Sequence, residues 1–90
     1  MAHFALIENG VVRDVIVVSN SDCAGGEFPA SEPVGQAFIA SIGFDGEWKQ
    51  TSYNGKFRGK YAGIRDIYDA VNDVFVTPVV VEEQDPNEVV

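Results

Sequence analysis

Two apolar runs separated by a polar turn open the chain. Phe4 to Ile7 is apolar, Glu8-Asn9-Gly10 interrupts it, and Val11 to Val18 is rich in valine. An Asn-Gly pair between two such runs predicts a two-residue hairpin with a type I′ turn, because both residues tolerate φ > 0. That register pairs Ile7 with Val12, Leu6 with Arg13, Ala5 with Asp14 and Phe4 with Val15. One face would then carry Phe4, Leu6, Val15 and Val17, and the other Ala5, Ile7, Val12 and Ile16. Both faces are substantially apolar, so a helix is expected over one and a loop or partner over part of the other.

The pattern changes after a loop, SNSDCAGGEFPA, at Ser19 to Ala30. Ser31 is placed as an N-cap, with Glu32 and Pro33 in the first turn, where an acid and a proline are both favoured. Val34, Ala37, Phe38, Ser41 and Ile42 form one helical stripe, and Gly43 stands where a left-handed C-cap belongs. The spacing predicts a helix over about 32–42 that packs Val34, Phe38 and Ile42 onto the sheet. Asp45-Gly46 turns the chain into a strand from Glu47 to Tyr53, with Trp48, Gln50 and Ser52 on one side and Lys49, Thr51 and Tyr53 on the other. Asn54-Gly55 turns again, and Lys56 to Tyr61 alternates loosely enough to be an irregular strand or an ordered loop. Asp66 to Asp69 and Val74 to Val80 read as a last hairpin around Ala70-Val71-Asn72-Asp73. The expected fold is therefore α+β: a small antiparallel β-sheet led by an N-terminal β-hairpin, with one short α-helix, in the order β-β-α-β-(β)-β-β. Residues 1–81 would form a single domain, and the acidic stretch 82–90 a mobile tail.

Composition agrees with one small globular domain. The chain has 90 residues, is 46% hydrophobic and 22% charged, and carries ten aromatics, a content that favours strands over a helical bundle. Cys23 is the single cysteine, so no internal disulfide forms and multi-cysteine zinc sites are ruled out. The opening MAHFALIENG lacks a basic n-region, so no signal peptide is expected. The longest apolar run, Val15 to Val18, is too short to span a bilayer, and no membrane association is expected.

Charge changes the picture most. Six bases stand against fourteen acids, net −8, yet five of the bases fall between Lys49 and Arg65, a window of seventeen residues without an acid. Lys49, Lys56, Arg58, Lys60 and Arg65 alternate there with Tyr53, Phe57 and Tyr61. The remainder holds all fourteen acids and one base, Arg13, a balance of −13. That acidity argues against nucleic acid as the partner, since phosphate would be repelled by most of the surface. The window has two readings. In one, it is a contact surface for a protein, with Lys56, Arg58 and Lys60 at the rim and Tyr53, Phe57 or Tyr61 nearer the centre. In the other, the aromatics belong to the core and the bases pair with the chain's own acids. Clustering of bases with interleaved aromatics favours the first.

No other motif supplies chemistry. His3 has no nucleophile or orienting group that can be placed beside it, and Asp22 and Glu27 would raise rather than lower the pKa of Cys23. The Asp66, Asp69, Asp73 spacing lacks the mid-loop glycine and final glutamate of an EF-hand. The glycine-rich pieces match neither GxxxxGK[ST] nor GxGxxG. No catalytic residue, metal ligand or cofactor is expected, and the chain reads as a non-enzyme.

The opening MAHFALIENGVVRDVIVVSN, the segment GGEFPASEPVGQAFIASIG and the stretch WKQTSYNGKFRGKYAGI followed by YDAVNDVF resemble small proteins that recur in marine phages, especially those of cyanobacteria. The resemblance covers about residues 1 to 78. Members of that group often read Gly after AGI, where this chain has Arg65-Asp66, and many continue into a proline-rich tail, where this one is acidic. The resemblance implies a phage-encoded minor virion component, a capsid decoration protein or tail accessory, found in the virion or the host cytoplasm. Its partner would be a phage capsid or tail protein, with a second copy of the chain also allowed. The alternative it leaves open is a phage protein that binds a host target during infection. It carries no catalytic residues.

Overall fold

Asn9 and Gly10 both adopt positive φ, 53° and 77°, as a type I′ turn demands. In the computed structural model, which describes residues 2–23 and 26–78, they join β1 (Ala2–Glu8) to β2 (Val11–Val18). Glu8 pairs with Val11 and Ile7 with Val12, and there the expected register ends. A bulge takes up Arg13, so that Leu6 faces Asp14, Ala5 faces Val15 and Phe4 faces Ile16. The reason is burial. An unbroken ladder would set Asp14 opposite Ala5, which has no exposed surface. A one-residue slip reverses every side chain that follows. Val15 therefore packs with Ala5 and Ile7, Ile16 joins Phe4 and Leu6, and the charged Arg13-Asp14 pair stays in solvent.

After a short 3-10 turn at Asn20–Cys23, the helix α1 runs from Ser31 to Ser41. Its buried row is Ser31, Gly35 and Ile39. The expected stripe is rotated: Val34 and Ile42 are exposed, and only Phe38 reaches the core. Ser31 explains the rotation. It is the first helical residue rather than a cap, and its hydroxyl donates to Gln50 Oε1 at 2.8 Å inside the structure. Ala30 occupies the cap position without a side-chain bond. Gly43 follows the helix at φ 91°, the left-handed position expected of it.

Three shorter strands complete one antiparallel sheet, β3 (Glu47–Thr51), β4 (Ile67–Asp69) and β5 (Val74–Val76), ordered β3-β1-β2-β4-β5. The class is the expected one, an antiparallel sheet with one helix. The order along the chain is β1-β2-α1-β3-β4-β5, and the further strand entertained at Lys56 to Tyr61 does not form. Arg58 and Gly59 are consecutive positive-φ residues, 55° and 83°, which a strand does not accommodate. Strand β3 stops at Thr51 because Ser52 opens a turn, its carbonyl accepting from Gly55 N–H and its hydroxyl from Lys56 N–H. The end of the last expected strand and the acidic tail 82–90 lie outside the described residues.

The sheet buries both faces. Phe4, Val18, Ile39 and Trp48 form the core beneath α1. On the other face Ala5, Ile7 and Val12 meet Phe75 from β5 and Ala62 from the connection between β3 and β4. That connection carries the basic-aromatic window.

Candidate functional site

Arg58 departs furthest from the place expected of the window's bases. It is not at a rim: its side chain is only 6% exposed. The guanidinium forks onto Glu32 of α1, Nη1 pairing with Oε2 and Nη2 lying 3.1 Å from Oε1. Nη1 also donates to the Gln50 carbonyl of β3 at 2.9 Å, and Nε to Asp73 Oδ1 at 2.8 Å. Phe28 and Tyr68 present their rings 4.9 and 5.9 Å away. Burial alone would lower the guanidinium pKa, but the hydrogen bonds and charges of Glu32 and then Asp73 outweigh it and raise it. Asp73 also accepts from the Tyr68 hydroxyl. Burial and that bond push the Tyr68 phenol up to about 12.

The same residue joins the two ends of the sheet. Its side chain binds β3, and its backbone carbonyl accepts from Phe75 N–H of β5 at 2.9 Å. These are the two edge strands, so the sheet curls until both edges meet Arg58. The outward groups of β3 are occupied elsewhere too. Gln36 Nε2 donates to the Trp48 carbonyl at 2.6 Å, and Gln50 N–H donates to Glu32 Oε2 at 2.7 Å. Side chains thus cover an edge that would otherwise template pairing with another strand.

Two other bases also pair with the chain's own acids. Lys60 Nζ lies 2.8 Å from Asp66 Oδ2 and donates to Thr77 Oγ1 at 2.6 Å. Lys49 Nζ stands 3.9 Å from Glu47 and 5.6 Å from the centre of the Tyr68 ring. Phe57 stacks on Phe28, centroids 3.9 Å apart and planes 2° apart. For Lys49, Phe57, Arg58 and Lys60 the self-paired reading describes the geometry. Asp66, Asp69 and Asp73 are each engaged by protein groups: Asp66 with Lys60 and Gly63, Asp69 within its own turn, and Asp73 with Arg58 and Tyr68.

Lys56, Tyr53 and Arg65 are exposed and Tyr61 is half-buried, but they do not form one patch. Arg65 donates its backbone N–H to Val12, toward the hairpin-turn end of the sheet, whereas Tyr61 packs on His3 near the opposite end. The five residue-to-residue steps from His3 to Glu8 span about 17 Å of strand. Lys56 and Arg65 make no ion pair among the described residues.

Tyr53, Tyr61 and His3 form a three-ring cluster. Tyr53 lies 5.2 Å from Tyr61, and His3 lies 5.5 Å from each, with the Tyr61 ring edge-on. Tyr53 is nonetheless 67% exposed, and half-exposed Val17 is the cross-strand partner of His3. Burial lowers the imidazole pKa. Half-buried His3 has the plain structural or surface role expected of it, but its place beside Tyr53 and Tyr61 was not foreseen, because it is remote from the window in sequence. The available signal was strand alternation: His3 shares the face of Ala5 and Ile7.

Among the described residues no group of three His, Cys, Asp or Glu gathers to hold a metal ion, and no helix is long and apolar enough to cross a membrane. In comparisons with known proteins, no family model, no curated protein and no solved structure matches the chain.

Proposed function

We propose that the protein is a non-enzymatic binding module that docks on another protein through Tyr53, Tyr61 and His3, with Lys56 on the adjoining turn. The observation that carries this is the exposure of Tyr53 within a packed three-ring cluster. An aromatic held in place before binding loses little side-chain freedom on docking, and such residues anchor interfaces. Ser52 fixes the same turn through its bonds to Gly55 and Lys56. Lys56 lies at the rim, where a charge steers encounter more than it holds the complex. Following the resemblance to marine phage proteins, the partner is a capsid or tail protein and the module a minor virion component.

Mass spectrometry of purified virions tests the setting, and particle binding tests the surface. Stoichiometric recovery from particles is expected. Tyr53→Ala is expected to weaken particle binding by about 2 kcal/mol, roughly thirtyfold, with unchanged circular dichroism. Lys56→Glu should slow association and flatten its salt dependence. Absence from particles together with co-purification of one host protein would transfer the same surface to a host target. Full binding by Tyr53→Ala would remove the surface itself.

A further inference from the structure

The opposite face of the sheet carries a second aromatic surface, independent of the Tyr53 cluster. Phe44 and the buried Trp48 of the core beneath α1 lie with centroids 6.5 Å apart and planes inclined by 25°. Phe44 is 49% exposed although it follows the helix directly into the turn before β3. Grooves of about 360 and 340 Å³ open beside it, and both include Phe44, Asp45 and Trp48 in their walls. Leu6 and Ile16 line one of them, and Gly46 lines the other. Gly46, at φ +114°, has no room for a side chain: a Cβ there would come within 2.6 Å of Leu6 Cδ1. The Trp48 indole N–H is held by the Asp45 carbonyl at 3.3 Å, so the indole is fixed in the wall.

Among the described residues, the charged ones that line these grooves are all acids. Asp45 and Glu47 line the first, Asp14 and Asp45 the second, and no base lines either. Among the described residues Glu47 has only a long contact with Lys49, at 3.9 Å, and Asp14 accepts only from the N–H of Val15, at 2.8 Å. Ring faces attract cations, and carboxylates beside them add to the attraction. We propose that this face docks a basic segment of a partner protein, with a Lys or Arg side chain lying over Phe44 and its charge between Asp45 and its acidic neighbours. The net charge of −8 steers such a segment inward and opposes the approach of a second copy.

Trp48 is the only tryptophan, so its emission reads the groove directly. The full chain is titrated with an acetylated, amidated hexapeptide of alternating Gly and Arg, and with its Gly-Glu counterpart. A saturable change in Trp48 emission is expected with the first and none with the second. The double variant Asp45→Asn with Glu47→Gln should bind about tenfold more weakly with a shallower salt dependence, while Tyr53→Ala binds as the parent does. Phe44→Ala should also weaken binding about tenfold, and a thermal melt confirms that each variant is folded. The proposal is overturned if emission is unchanged at about 1 mM peptide, a Kd range in which even weak docking is seen. Equal binding of the Glu peptide, or undiminished affinity in the double variant, overturns it too. So does an emission change that tracks protein concentration alone with dimers in sedimentation, because a second copy would then fill the groove.

Discussion

Removing the Arg58 side chain tests whether the sheet is closed the way its contacts describe. In Arg58→Ala, Glu32, whose side chain is only 16% exposed in the parent, loses both guanidinium bonds, and the Gln50 carbonyl loses its donor. Breaking one partner out of a buried pair costs about 3–5 kcal/mol. Asp73, whose side chain is 54% exposed, adds less than about 1 kcal/mol. A 90-residue domain has roughly 5–13 kcal/mol in total at 0.05–0.15 kcal/mol per residue, so the variant should be left marginal. Urea unfolding followed by Trp48 fluorescence reads this as a lower midpoint at constant m. Arg58→Lys should recover little, because an ammonium cannot span the two Glu32 oxygens and the Gln50 carbonyl at once. Combining Arg58→Ala with Glu32→Gln completes a cycle whose coupling energy should exceed about 1 kcal/mol. A loss below about 1 kcal/mol in Arg58→Ala, or additivity in the cycle, would refute the idea that this residue holds the two edges together.

Two further expectations concern the helix face and alkaline pH. Ile39→Ala should cost about 2–5 kcal/mol and Val34→Ala less than about 1, because only Ile39 is buried; chemical denaturation of the pair distinguishes this face from the Val34–Phe38–Ile42 stripe. The Tyr68 phenol, raised to about 12 in the folded state against about 10 unfolded, contributes stability that is fully present below pH 10 and lost between about 10 and 12. Thermal melts across that range should fall more steeply for the parent than for Tyr68→Phe.

Local signals in the chain were legible where one or two residues decide the geometry. Asn9-Gly10 announces its turn, and Gly43 its helix end, because positive φ leaves few choices. What failed is whatever tertiary burial decides. The Arg13 bulge exists to keep Asp14 out of the core, and nothing within β2 reveals that Ala5 and Val15 must meet beneath Ala62 and Phe75. The helix stripe was misread for a similar reason. Periodicity ranks Val34 and Ile42 above Ser31 and Gly35, but the sheet accepts the row with a serine that can reach Gln50. The window gave away its contents and hid their sides: Tyr53 and Arg58 stand five positions apart, one facing solvent and the other buried against Glu32.

That division explains why bases and aromatics crowd into one segment of an acidic chain. The connection between β3 and β4 has to close a curled sheet, and Glu32 and Asp66 already stand along its path with Asp73 just beyond. Each needs a cation, and Arg58 and Lys60 supply them from alternate positions around Gly59. Phe57 and Ala62 fill the apolar gaps along the same path. Closure also constrains how the protein can bind. With the Trp48 and Gln50 backbone groups of β3 held by Gln36, Glu32 and Arg58, and the Phe75 N–H of β5 held by the Arg58 carbonyl, a partner strand finds no open ladder at those positions. Recognition is left to side chains: the Tyr53 cluster on one face of the sheet and the Phe44–Trp48 grooves on the other.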